Sequence, residues 1–128
     1  MTWKKRIVSL VLAAVIGVGT FLSSGVEAEA AGVIGKGIDV SKYQGAINWS
    51  AVAADGYSFA FIKVGSAKSG LDPYFAANMV GANAAGLKTG VYLYSYATTV
   101  EAAMAEAQFT LAAIAPFTVN MPVVFDLE

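Results

Sequence analysis

The chain has 128 residues, 57% of them apolar and 13% charged, a length that suits one domain and a composition that excludes disorder. Its eight Lys and Arg against nine Asp and Glu leave no basic footprint for nucleic acid, the less so because Lys4, Lys5 and Arg6 crowd the N-terminus. Cys and His are both absent, which excludes disulfides, thiolate nucleophiles, Ser–His pairs and the commonest metal ligands, and leaves acid–base chemistry to carboxylates, Lys or Tyr. Residues 1–30 read as an export signal: a basic start at Lys4-Lys5-Arg6, an apolar stretch over Ile7–Leu22, and a small-x-small site at Ala28-Glu29-Ala30. The competing reading is an uncleaved anchor, but Gly17, Gly19 and Thr20 interrupt a stretch already short for a span of about 20 apolar residues. A secreted or wall-associated bacterial protein, beginning near Ala31 and free of the membrane after cleavage, is the expectation.

Beyond residue 33, apolar runs alternate with helical patterns. Ile34 to Ser41 predicts a strand with Asp39 near its end, and Asn48 caps a short helix over Trp49–Ala54 that Asp55-Gly56 closes. Ser58 to Val64 is a near-continuous apolar run, the pattern of a strand buried on both faces. Asp72-Pro73 starts a second helix, with Gly86 placed for a left-handed C-terminal cap. Gly90–Tyr96 is a third strand, and Thr98 with Glu101 fits a capping box. The helix that follows carries Val100, Met104, Ala107, Leu111 and Ile114 at 3.6-residue spacing, the stripe expected to face the core, and Pro116 ends it. Met121 to Glu128 is a fourth apolar strand.

The order β-α-β-α-β-α-β predicts an α/β fold with parallel strands and helical crossovers. Its rhythm fits an irregular (β/α) barrel of about 250 residues, of which this chain would supply about the first four βα units. Because the sequence stops inside its fourth strand, residues 31–128 are expected to be the front part of a longer catalytic domain.

The chemistry concentrates at strand ends. In Val123-Val124-Phe125-Asp126-Leu127-Glu128 the strand alternation sends Asp126 and Glu128 to one face. Barrel enzymes keep catalytic groups at that end, and two carboxylates one pleat apart repel each other into the roles of acid and base that glycosidic cleavage requires. The plain alternative is a strand ending at Phe125 with a solvated Asp-Leu-Glu loop. Asp39, in Gly37-Ile38-Asp39-Val40-Ser41, would reach the same rim, or else start an Asx turn. Lys63, the single charge in its run, suits a counter-ion to those carboxylates better than a Schiff-base nucleophile. Tyr92, Tyr94 and Tyr96 share a strand face, and Tyr43 and Trp49 flank the first strand; such rings suit sugar faces or, for Tyr92 above all, the barrel filling. Gly65–Gly70 is glycine-bounded, yet it lacks the Gly-Lys-Ser/Thr ending of a phosphate loop.

Taken together, these residues resemble glycoside hydrolase family 25, the muramidase-type lysozymes. The resemblance runs through Gly37-Ile38-Asp39-Val40-Ser41-Lys42-Tyr43-Gln44-Gly45, Ile47-Asn48-Trp49, Phe59-Ala60-Phe61-Ile62-Lys63, Asp72-Pro73-Tyr74-Phe75 with Asn78, Ala85-Gly86-Leu87 with Gly90-Val91-Tyr92, and Pro122–Glu128. It implies an irregular β/α barrel that hydrolyses the β-1,4 bond between N-acetylmuramic acid and N-acetylglucosamine of peptidoglycan, with no metal and no cofactor. It implies Glu128 as proton donor, and Asp126 either stabilising the positive charge at the anomeric carbon or orienting the substrate's acetamido group. Asp39 becomes a further active-site carboxylate. Tyr43, Lys63, Tyr94 and Tyr96 are the expected substrate-binding residues. The functional alternatives are a non-catalytic wall-glycan module, which has no need of clustered carboxylates, or an inactive truncated fragment.

Overall fold

The computed structural model describes residues 34–128, of which Gly35–Glu128 form one compact unit. The expected export signal, residues 1–30, lies outside the described residues. No helix among those described is long and apolar enough to cross a membrane.

Strand β1 is Gly37–Val40, followed by a 3-10 turn over Lys42–Gln44 and helix α1, Trp49–Ala54. Strand β2, Phe59–Ser66, leads through a short antiparallel partner, β3 at Gly70–Leu71, to helix α2, Phe75–Ala84. Strand β4 is Lys88–Ser95, helix α3 is Val100–Ile114 and strand β5 is Val123–Leu127. The sheet order is β1-β2-β4-β5, all parallel. The sheet is open, with β1 and β5 at its edges. Crossovers of one hand between strands laid down in consecutive order put every helix on the same face of a sheet.

That face is the core. Val40, Ala60, Ile62, Val64, Val91 and Leu93 point into it from the strands, and Trp49, Phe75, Met79 and Ala82 meet them from α1 and α2. Burial along β2 alternates, with Ala60, Ile62 and Val64 fully buried and Phe59, Phe61 and Lys63 only half-buried. The expectation of a strand buried on both faces is thereby corrected. Trp49 is likewise a core residue, 6% exposed, filling the space that Gly81 leaves open, and is not part of a sugar-binding surface.

Local signals account for most element ends. The Asn48 side chain accepts from the Ala51 amide and starts α1. Helix α2 ends in a Schellman pair: the Leu87 amide bonds the Ala82 carbonyl, the Gly86 amide bonds that of Asn83, and Gly86 sits at φ 79°. Helix α2 starts three residues later than Asp72, whose carboxylate instead accepts from the Tyr74 amide. At α3 the cap is Thr99, accepting from the Ala102 amide, so Thr98 and Glu101 form no capping box.

Most of the stripe expected to bury α3 faces outward. Val100, Met104 and Leu111 are 72%, 59% and 64% exposed, Ala107 is half-buried, and of the stripe only Ile114 packs against the core; the side turned to the sheet carries buried Glu106 and Thr110 with Phe109 and Ala113. The reason is polar: Glu106 engages the end of β4, and this fixes the rotation of the helix. At the other end of the sheet a clasp joins α2, β4 and the approach to β5. The Thr89 hydroxyl donates to the Thr118 carbonyl at 2.6 Å and the Thr89 amide donates to Asn120 Oδ1 at 2.9 Å. Asn83 bonds both the Thr89 hydroxyl and the backbone of Thr118.

Candidate active site

The face of the sheet turned away from the helices holds the candidate site. In the register, Asp39 pairs with Phe61, Lys63 with Tyr92, and Tyr94 with Asp126. Alternation therefore brings Asp39, Phe61, Lys63, Tyr92, Tyr94, Val124 and Asp126 to one surface. A cleft of about 390 Å³ lies there, lined by Asp39, Phe61, Tyr92, Tyr94, Val124, Phe125 and Asp126.

Asp39 stands exposed near the end of β1. It starts no Asx turn; the following turn is closed by Ser41, whose amide donates to Gln44 Oε1 at 2.7 Å and whose hydroxyl accepts from the Tyr43 amide. Asp72, 7% exposed, pins this loop, since its Oδ2 accepts from the Lys42 amide at 3.0 Å while Oδ1 holds Tyr74. The loop presents Tyr43, 79% exposed, with the Lys42 ammonium 5.3 Å from its ring.

The Lys63 ammonium lies 3.5 Å from the centre of the Tyr94 ring, a cation–π contact. It is held by an aromatic face, where a counter-ion role to the rim carboxylates was expected. Its backbone bears a register shift between Lys63 and Gly65, and Gly65 sits at φ 132° with the Gly70 carbonyl where a side chain would start. Lys63 also borders a smaller cleft of about 180 Å³ with Lys42, Ser69 and Asp72. The Gly65–Gly70 segment is the tight turn into β3, closed by a 2.7 Å hydrogen bond between the Ser66 and Ser69 hydroxyls.

Tyr92 and Tyr94 stand 6.2 Å apart, ring to ring. The Tyr92 hydroxyl donates to the Val40 carbonyl at 3.4 Å. Burial, and after it the charge of Asp39, pushes its phenol up to about 12. The Tyr94 phenol is raised by desolvation first, then by the charges of Glu128 and Asp126. Both carboxylates thus act electrostatically on one ring. Glu128 follows β5 directly; its amide donates to the Ser95 carbonyl at 3.2 Å, prolonging the ladder by one bond, and its side chain is exposed. Tyr96, past the end of β4, is 48% exposed with the Lys68 ammonium 5.4 Å from its ring.

The structure gathers Asp39, Asp126, Tyr92 and Tyr94 into the cleft, with Lys63 against Tyr94, and leaves Glu128, Tyr43 and Tyr96 outside the cleft lining. Phe61 was missed as a lining residue, although its place two residues before Lys63 puts it on the same strand face. Asp72 was read only as a helix start, and Glu106 was missed as a support; the bond from Asp72 to the Lys42 amide spans 30 residues and those of Glu106 span 10 to 11, beyond any short-range pattern.

The bare face of the parallel sheet thus sets carboxylates among aromatic rings. The family model for glycosyl hydrolases family 25 matches residues 38–128, and the chain belongs to that family. It is 39% identical to Lysozyme M1 of Streptomyces globisporus over 64% of this chain and 31% of the relative. Among solved structures it is similar to a family 25 glycosyl hydrolase from Bacillus anthracis, with TM-score 0.61 and 30% identity over 70% of this chain and 41% of that one. It is also similar to the modular autolysin LytC of Streptococcus pneumoniae, solved with a synthetic peptidoglycan ligand, with TM-score 0.68 and 28% identity over 73% of this chain and 22% of that one. The chain spans about a third of the length of the curated relative it matches.

Proposed function

We propose that the full-length protein is a secreted lysozyme that cleaves the β-1,4 bond between N-acetylmuramic acid and N-acetylglucosamine in bacterial peptidoglycan. The observation that carries the reading is the cleft on the bare face of the sheet, which brings Asp39 of β1 and Asp126 of β5 together with Tyr92 and Tyr94 of β4, with Glu128 one pleat beyond Asp126. Lysozyme M1 and the peptidoglycan-bound autolysin support the same substrate class. In the full-length protein the open sheet becomes part of an irregular β/α barrel, with the cleft face turned inward.

Glu128 donates the proton to the leaving-group oxygen. Asp126, one pleat earlier, offsets positive charge at the anomeric carbon as the bond breaks. Asp39 supplies a further carboxylate from β1. Tyr94 offers a ring face to the sugar with Lys63 behind it, while Tyr43 and Tyr96 extend the aromatic surface along the glycan. The experiment is reducing-end release from purified walls by the full-length enzyme. A general acid contributes typically about 10²–10⁴-fold, so Glu128→Gln is expected to lower kcat by that order with wall binding nearly kept. Wild-type turnover in that variant would refute the assignment, and wall binding without turnover in the wild type would point to a glycan-binding module.

A further inference from the structure

Helix α3 turns a carboxylate, not an apolar side chain, toward the end of β4. Glu106 is 4% exposed, and both its oxygens are engaged: Oε2 accepts from the Ser95 hydroxyl at 2.5 Å and Oε1 accepts from the Tyr96 amide at 3.0 Å. Burying a carboxylate costs several kcal/mol unless its hydrogen bonds return the energy, so this placement is informative about what those bonds hold. They hold Ser95, itself 3% exposed, whose carbonyl accepts from the Glu128 amide at 3.2 Å. Strand β5 ends at Leu127, so this bond ties Glu128 to the sheet beyond the last strand residue. The Oε1 contact also fixes the backbone of Tyr96, just past the end of β4. Thr110 locks the helix turn beneath by donating to the Glu106 carbonyl at 2.9 Å.

We propose that Glu106 is a positioning residue for the general acid, acting through Ser95 to fix where the Glu128 backbone, and so its carboxyl group, stands. The inference rests on the reading of Glu128 as the acid. A displacement of about 1 Å at a reacting group can cost on the order of 10²-fold in rate, which sets the scale of the effect.

The test uses the full-length enzyme on purified walls, with kcat expressed per folded molecule well below Tm. Glu106→Ala is expected to lower kcat by on the order of 10²-fold with KM nearly unchanged. Glu106→Gln, which keeps an acceptor for the Tyr96 amide and a hydrogen-bonding group for Ser95, is expected to recover most of that loss. In a Glu128→Gln background, Glu106→Ala is expected to cause no further loss, because both changes act through one group. Should Glu106→Ala not fold, Ser95→Ala, which removes only the hydroxyl, carries the same expectations.

A lowered Tm with wild-type kcat and KM would make Glu106 a structural cap and overturn the proposal. So would a raised KM at constant kcat, which would tie it to the aromatic wall through Tyr96. A full second loss in the Glu128→Gln background, or a Gln variant as poor as the Ala variant, would overturn it equally. If Glu128→Gln alone keeps wild-type turnover, the failure lies in the reading of the acid, which separates the two cases.

Discussion

Among single residues, Tyr92 gives the most direct readout of the cleft's electrostatics. Its phenol is pushed up to about 12, by burial first and by Asp39 second. The folded state therefore holds that proton more tightly than the unfolded chain, whose tyrosines ionise near pH 10. This contribution to stability is complete below about pH 10 and is lost as pH rises through about 12. Ultraviolet titration should show one phenol ionising near the top of that range, and Tyr92→Phe should remove that step. Asp39→Asn should move it partway down and no further, because the burial remains. A step that ignored Asp39 would place the carboxylate away from the cleft. Asp126→Asn should lower kcat more than it raises KM on walls, since charge at the anomeric carbon develops only in the transition state; an effect confined to KM would assign Asp126 to binding alone.

At the scale of elements, what could be read from sequence was what neighbouring residues decide. Asn48 announced α1 and Gly86 closed α2, because a cap and a left-handed glycine act within a few residues. The pattern Ser/Thr-x-x-Glu/Gln occurs both at Ser41–Gln44 and at Thr98–Glu101, yet only the first forms the reciprocal box. At α3 the adjacent Thr99 takes the cap, and Glu101 is left in the first turn, where the helix dipole favours it. Thr99→Ala should cost about 1 kcal/mol and Thr98→Ala much less, measured by urea unfolding; equal costs would show that the cap is shared. The inward face of α3 was not legible, since it depends on Ser95 and Tyr96 reaching Glu106 across the fold. The placement of Asp39 and Asp126 on one face of the sheet was legible for the opposite reason: strand alternation alone decides it. The aim of Lys63 was not, because it depends on the backbone irregularity at Gly65. Gly65→Ala must adopt φ 132° against the Gly70 carbonyl, and should lower Tm while also weakening wall binding through the displaced Lys63.

On the scale of the whole molecule, residues 35–128 expose two apolar surfaces. One is the outer stripe of α3 at Val100, Met104 and Leu111, and the other is the edge strand β5, with Val123, Val124 and Phe125 each 40% exposed. An unpaired, apolar edge invites pairing between chains. Residues 35–128 expressed alone should associate as concentration rises, seen by light scattering, and Met104→Lys with Leu111→Lys should reduce that association without lowering Tm. A monomer at all concentrations would show that neither surface is adhesive. The clasp of Asn83, Thr89, Thr118 and Asn120 lies at the opposite end of β5 from the carboxylates. It nevertheless governs them, because strand registers shift only in whole residues. A slip of one position would turn Asp126 and Glu128 from the cleft face toward the helices. Damage to the clasp should therefore appear as a mixture of fully competent and wholly inert molecules, with the specific activity of a preparation counting the fraction threaded correctly.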